Sequence, residues 1–216
     1  MDALVITADD YGYAPPYDRG ILEAVEAEAI DAVAVMTARG GLDPWPLATK
    51  EIELGLHLEL PEAREAVLVA FEVQLEAFRA AFRRDPAFID GHKHCHARPS
   101  VALAIARRGA ELGAAVRSVD DGHRERLRSA GARTPDRLIG RMSEREPALP
   151  DQVNELLIGG PGQAGVVEWM VHPGHADAST GSTYDRGREE DLRLLLRLTE
   201  EPALRRVRAT HARALA

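Results

Sequence analysis

Asp90-Gly91-His92-Lys93-His94-Cys95-His96 places three of the chain's eight histidines within five residues, just after a carboxylate. Neutral imidazole is the commonest metal ligand near pH 7, so this density points to a metal site and to chemistry performed there. The alternative is a polar loop of hydrogen-bonding histidines. Pro86-Ala87-Phe88-Ile89 is short and apolar and reads as a buried strand running into the motif. On a continuing strand His92, His94 and His96 would share one face. At ~3.3 Å per residue, however, the Cα atoms of His92 and His96 would stand ~13 Å apart. Metal–nitrogen bonds are only ~2 Å long. Unless the chain curls, the motif supplies one or two ligands and the rest come from elsewhere.

Three other stretches offer partners. In Ala8-Asp9-Asp10-Tyr11-Gly12 two adjacent carboxylates repel unless a cation or proton lies beside them. One can bind a metal while the other takes a proton from water, and Gly12 lets the chain bend. The competing reading is an Asp cap for the following helix. His57 interrupts the apolar run Gly55-Leu56-His57-Leu58 and, taken alone, suits a hydrogen-bonded core residue. His172 sits in His172-Pro173-Gly174, where a strand would meet a sharp turn. It is either a general acid or oxyanion donor, or a turn residue with no role. His-Glu-x-x-His, Gly-x-Ser-x-Gly and phosphate-loop patterns are absent. Cys95 has a histidine on each side, but sequence neighbours on a strand face opposite ways, so a thiol nucleophile is poorly supported.

The elements that must position these residues alternate as βαβα. Strands are expected at Ala3–Thr7, Ala32–Met36, Ile52–Leu58, Phe88–Asp90, Ala115–Val119 and Val166–Val171, with a short final one near Arg206–His211. Helices are expected at Asp18–Ala29, Glu62–Arg84, near Ser100–Leu112, at Asp151–Ile158 and at Arg186–Leu198. In the longest helix Val67, Phe71, Leu75, Phe78 and Phe82 recur at helical spacing and read as core. This order calls for a parallel sheet with right-handed crossovers. Asp9-Asp10, His57, His92 and His172 all fall at strand C-termini, the active-site edge of α/β barrels. The chain is short for eight βα units, so the expected fold is α/β, an irregular or incomplete TIM-like barrel in a single domain over 1–216. Gly122–Arg145 is the least regular region and a candidate mobile loop.

Composition sets outer bounds. The 216 residues, 45% hydrophobic and 29% charged, suffice for one real core. A net charge of −8 argues against nucleic acid as a partner. The arginines at 104–145 and 186–208 mix with acids and read as solvated helix faces. Cys95 is the single cysteine, which precludes an intrachain disulfide and suits a reducing compartment. The N-terminal residues lack a signal-peptide pattern and no apolar run has membrane-spanning length, so the expectation is a cytoplasmic protein without membrane partners. Assembly into a homo-oligomer is left open.

Taken together, the motifs resemble the YdjC-like carbohydrate deacetylases. The matching stretches are Ala8–Gly12, Arg19–Ala24, Gly55–Leu58, Asp90–His96, Thr134–Asp136 and His172–Gly174, in family order along most of the chain. The resemblance implies an irregular TIM-like barrel and a divalent ion, usually magnesium, held by Asp10, His57 and His92. It implies Asp9 as general base and His172 near the reacting amide, with an N-acetylated sugar as substrate. Two imidazoles suit zinc, cobalt or nickel better than magnesium, so the ion is left open. Asp90, His94 and His96 remain candidates for supporting the ligands or touching substrate. Departures from the family are a short connection after Leu60, Asp18 where Asn is usual, and Gly91 where Ser is usual. The competing functions are a metal hydrolase of another small ester or amide, and a metal- or sugar-binding protein without catalysis.

Overall fold

The computed structural model describes residues 2–141, 165–199 and 201–216. Its strands are β1 (Ala3–Tyr11), β2 (Ala32–Val35), β3 (Glu53–Leu58), β4 (Phe88–Gly91), β5 (Ala115–Val116), β6 (Arg137–Gly140) and β7 (Val166–Val171). All neighbours pair in parallel, in the order β5-β4-β3-β2-β1-β7-β6. The sheet curls into a half-barrel, the incomplete barrel expected. β1 and β7 are buried almost end to end, as strands covered on both faces must be.

The helices are α1 (Pro15–Glu26), α2 (Trp45–Ala48), α3 (Arg64–Phe82), α4 (Ala102–Leu112), α5 (Asp121–Ser129), α6 (Arg186–Leu198), α7 (Pro202–Val207) and α8 (His211–Ala214). α1 starts three residues before the expected Asp18, because proline is tolerated in a first helical turn. It buries Tyr17, Gly20, Ile21, Ala24 and Val25, an i, i+3, i+4 stripe. α3 buries the five residues whose spacing marked them as core. Arg83, at φ 58°, ends it.

Two glycines permit close approach. A Cβ on Gly20 would lie 2.4 Å from the Cα of Gly174, so α1 meets the turn after β7 backbone to backbone. A Cβ on Gly55 would lie 2.4 Å from the Phe88 ring, on the neighbouring strand.

Three expectations change. Within 122–145, α5 is capped by Asp120, whose side chain accepts from the His123 amide, and β6 follows, so the described part of that region is regular; residues 142–145 lie outside the described residues. The expected final strand is instead α7, followed by a single bridge between Leu4 and Arg208 and then α8. Pro202 opens a helical turn there, where its fixed φ is tolerated. The expected fifth strand stops at Val116, before Arg117, whose side chain turns inward. The helix expected at Asp151–Ile158 lies outside the described residues.

Candidate active site

Parallel strands end on one rim, and register brings the polar ends together. His57 stands opposite Asp90 on β4, and Ala8 opposite Val171, so Asp9 and His172 leave neighbouring strands side by side. Adjacent residues on a regular strand point to opposite faces. Here the β1–β2 register breaks between Ala8 and Tyr11, and Asp10 takes φ 74°. This irregularity turns both carboxylates into the half-barrel, where each is only 1% exposed. Left-handed backbone at a non-glycine residue costs on the order of 1 kcal/mol and concentrates at functional sites.

The histidine motif curls. His92–Ala97 forms a short 3-10 segment in which Lys93 and His94 have φ of 50° and 54°. The strand geometry that would hold the three imidazoles in a row is therefore not adopted. His92 Nδ1 lies 2.9 Å from Asp10 Oδ1, and His57 Nε2 lies 3.2 Å from the same oxygen. The three ligand atoms lie within 4.8 Å of one another. His57 Nδ1 is 2.8 Å from Asp90 Oδ1. If Nδ1–H donates there, the Nε2 lone pair is free toward Asp10. His94 lines the adjoining cleft, and burial pushes its imidazole down to about 4. His96 turns away, fully buried, with Nε2 3.1 Å from the Arg117 carbonyl oxygen.

A second group, Asp9, His57 and Asp90, also converges within 4.8 Å. Its cation is already present. Arg117 Nη1 lies 2.7 Å from both Asp9 Oδ2 and Asp90 Oδ2, Nη2 donates to Asp9 Oδ1 at 2.9 Å, and Nε donates to Glu168 Oε1 at 3.0 Å. The Asp10–His57–His92 group instead faces an open cleft of about 610 Å³ that Tyr13, Lys93 and Tyr184 help to line. One carboxylate oxygen and two imidazole nitrogens suit a divalent ion and leave coordination positions for water and substrate.

Electrostatics agree with that fit. Burial raises the Asp10 carboxyl, but hydrogen bonds from His57 and His92 and the charge of Arg188 carry it well below the usual range. Burial lowers His57, yet Asp90, Asp9 and Asp10 more than offset this and hold it well above its ordinary value. Surroundings that attract a proton to that imidazole also attract a metal cation. Burial raises Asp9, and Arg117, His57 and His172 outweigh it, leaving the carboxyl lowered. His172 is pushed down to about 4, chiefly by burial, so it is neutral at pH 7. Its Nε2 lies 4.0 Å from Asp9 Oδ2, and its amide donates to Asp191 Oδ2 at 2.9 Å.

Two residues of the site escaped the sequence reading. Arg117 and Arg188 fall in stretches assigned to solvated helix faces, but each is 1% exposed. Arg188 Nη2 donates to Asp10 Oδ2 at 2.6 Å, Nε donates to the Tyr184 carbonyl oxygen at 2.9 Å, and the guanidinium lies 3.7 Å from the Tyr17 ring centre. Carboxylate partners are what hold both arginines inside. An arginine in an apolar strand run was the available signal for Arg117. For Arg188 it was helical spacing to Asp191, Leu192 and Leu195, all buried on α6.

The sequence matches the family model described as YdjC-like protein over residues 3–71 and 61–200. The chain belongs to the YdjC-like family. Among its YdjC-like relatives, the carbohydrate deacetylase of Geobacillus stearothermophilus is 26% identical over 224 residues, 88% of each chain. The carbohydrate deacetylase of Homo sapiens is 31% identical over 141 residues, 48% of this chain and 44% of the human one, so the match spans less than half of that relative. The chitooligosaccharide deacetylase of Escherichia fergusonii is 31% identical over 53% of this chain and 58% of its own. A solved structure from Enterococcus faecalis V583, described as a cellobiose-phosphate cleavage protein, superposes with a TM-score of 0.79 at 20% identity, covering 99% of this chain and 98% of that one. A peptidoglycan N-acetylglucosamine deacetylase superposes at 0.54 with 9% identity, covering 100% of this chain and 88% of that one. At such identities these two likenesses speak to the fold alone.

Proposed function

We propose that this YdjC-like chain is a metal-dependent hydrolase that removes an acetyl group from an N-acetylated sugar. The observation that carries the proposal is the convergence of Asp10 Oδ1, His57 Nε2 and His92 Nδ1 beside an open cleft, with the Asp9 carboxylate next to them. The deacetylases among its relatives support the substrate class.

Asp10, His57 and His92 would hold the ion. When bound, a divalent ion supplies Lewis acidity toward the amide carbonyl and makes water more acidic. The carboxylate suits magnesium, whereas two imidazoles favour zinc, cobalt or nickel. Asp90 fixes the orientation of His57. Asp9 accepts a proton from water as the water oxygen bonds to the amide carbon. The C–N bond then breaks as the leaving nitrogen takes a proton, giving acetate and a free amine on the sugar. Arg117 clamps both oxygens of Asp9 and so fixes its position. The same clamp makes protonated Asp9 a willing donor to the leaving amine. His172, neutral and facing Asp9, donates a hydrogen bond to the charge that develops. The single cysteine suits the reducing cytoplasm as the compartment.

Only residues 59–63 join β3 to α3, beside the rim, which leaves a second reading open: hydrolysis of another small ester or amide. Purified protein incubated with N-acetylglucosamine oligosaccharides and magnesium, manganese, cobalt, nickel or zinc should release acetate. Asp9→Asn should lower kcat about 10²–10⁴-fold, the usual range for a general base, with ion binding retained. Esterase activity without acetate release from the sugars would favour the second reading. Binding of ion and sugar with no turnover at all would sink both.

A further inference from the structure

Resting on the hydrolase reading above, we propose that Arg188 is a further catalytic residue, whose free Nη1 donates to the acyl oxygen of the substrate amide and then to the acetate product.

Arg188 is held on three sides. Nη2 donates to Asp10 Oδ2, Nε donates to the Tyr184 carbonyl oxygen, and the guanidinium plane lies over the Tyr17 ring. A guanidinium is flat and rigid, so fixing Nε and Nη2 fixes Nη1 as well. Among the described residues Nη1 is buried and has no hydrogen-bond partner, although the residue lines the cleft. A buried charged donor left unpaired is costly, and a native protein retains one where something else will pair with it. Among the described residues no side chain takes that place. The Tyr184 hydroxyl donates to Asp191 Oδ1 at 3.0 Å, and the Tyr17 hydroxyl donates to Asp185 Oδ1 at 2.8 Å.

The position of the free N–H groups identifies the acceptor. Asp10 divides its oxygens: Oδ1 faces His57 and His92, and Oδ2 faces Arg188. The guanidinium is therefore one carboxylate away from the point where the ligand atoms converge, which is where the reacting carbonyl must come. Negative charge grows on the acyl oxygen in the transition state and stays on the product carboxylate. A rigid guanidinium matches both acceptors better than a neutral sugar hydroxyl. Arg188 only donates hydrogen bonds and keeps all its protons. Lys93 also lines the cleft, but on a flexible stem that does not fix its donors.

The test uses Arg188→Lys, which keeps a cation beside Asp10, and Arg188→Ala. In Arg188→Lys, kcat should fall about 10²–10³-fold, the usual loss for one oxyanion donor, while KM and ion affinity by titration calorimetry change less than about threefold. Acetate titrated into the metal-free wild type and followed by NMR should bind at least about tenfold more tightly than to either variant. Guanidinium added to Arg188→Ala should restore a measurable part of kcat, and added to Asp9→Asn should restore none. If acetate binds the variants as well as the wild type and guanidinium rescues nothing, the proposal is overturned, and a loss of ion affinity would assign Arg188 to positioning Asp10 alone. If the wild type releases no acetate from any substrate, the hydrolase reading fails. The difference in acetate binding still decides whether Nη1 receives a carboxylate.

Discussion

Among its described residues the half-barrel holds two buried clusters of carboxylates and imidazoles, one at each end. At the rim, Asp9, Asp10, His57, Asp90 and His92 sit below an open cleft. At the floor, where the strands begin, His211 Nδ1 lies 2.8 Å from Glu53 Oε2 and Nε2 lies 3.4 Å from Glu168 Oε1, with the ring stacked on Phe88 at 4.3 Å. The residue types are nearly the same and the outcomes differ. In the floor cluster the cation is a side chain of the protein and the acids close around it. In the rim cluster the ligand atoms of Asp10, His57 and His92 share an open side. Arg117 joins the two, gripping Asp9 and Asp90 on one side and Glu168 on the other. A buried acid–imidazole cluster is therefore not by itself a metal site. The open side makes the difference.

This contrast can be broken from either end. The largest effect is expected from Asp10→Ala, which removes a rim ligand: roughly a 10³-fold loss of kcat/KM together with loss of ion binding by calorimetry. Arg117→Met removes the shared cation and leaves Asp9, Asp90 and Glu168 facing one another. It should cost about 3–5 kcal/mol in urea unfolding and lower kcat/KM by about 10²-fold, as Asp9 loses its clamp. Unchanged stability would mean that the two clusters are independent.

The floor has its own pH signature. Burial lowers His211, but Glu168 and Glu53 more than offset it and raise the imidazole to about 9. Its folded-state value exceeds the ~6.5 of an unfolded chain, so its stabilisation is full below that pH and is lost as pH rises through about 9. On the order of 3 kcal/mol should disappear across that window in the wild type, and His211→Gln should show a flatter profile. The smallest effect is expected from Gly55→Ala. Its Cβ would press on Phe88, the ring beneath His211, and should cost about 1–3 kcal/mol while ion binding at the rim persists. A lost ion site in this variant would show that the floor governs the rim.

Much of this architecture is written in local pattern. β1, β3, β4 and β7 announce themselves as apolar runs, and α3 by its helical repeat of Val67, Phe71, Leu75, Phe78 and Phe82. The meeting of Asp10, His57 and His92 was legible because parallel strands end on one rim. The curl at Lys93 and His94 was not, since left-handed backbone at Lys and His has no composition signal. Nor was the break in β1 that turns both aspartates inward, which depends on pairing with β2. Arg117 and Arg188 were misassigned because charge normally marks solvent. Their partners, Asp9 and Asp10, lie more than a hundred residues away in sequence. The α7–bridge–α8 ending was hidden for a similar reason: Arg206–His211 takes its conformation from contacts with Leu4 and Glu53 rather than from its own pattern.

The strand order also sets a timetable. Asp10, His57 and His92 have all been synthesised once the ribosome passes residue 92, together with four of the seven described strands. β1, however, is an interior strand whose second neighbour is β7, beginning at Val166. At ~5–20 residues per second, a ribosome takes roughly 4–15 s to make the residues between. Throughout that interval the nascent chain carries Asp10, His57 and His92 while one long edge of β1 lacks β7, its neighbour there, and such an edge is a template for aggregation. Arg188, which anchors Asp10 from the other side, emerges later still.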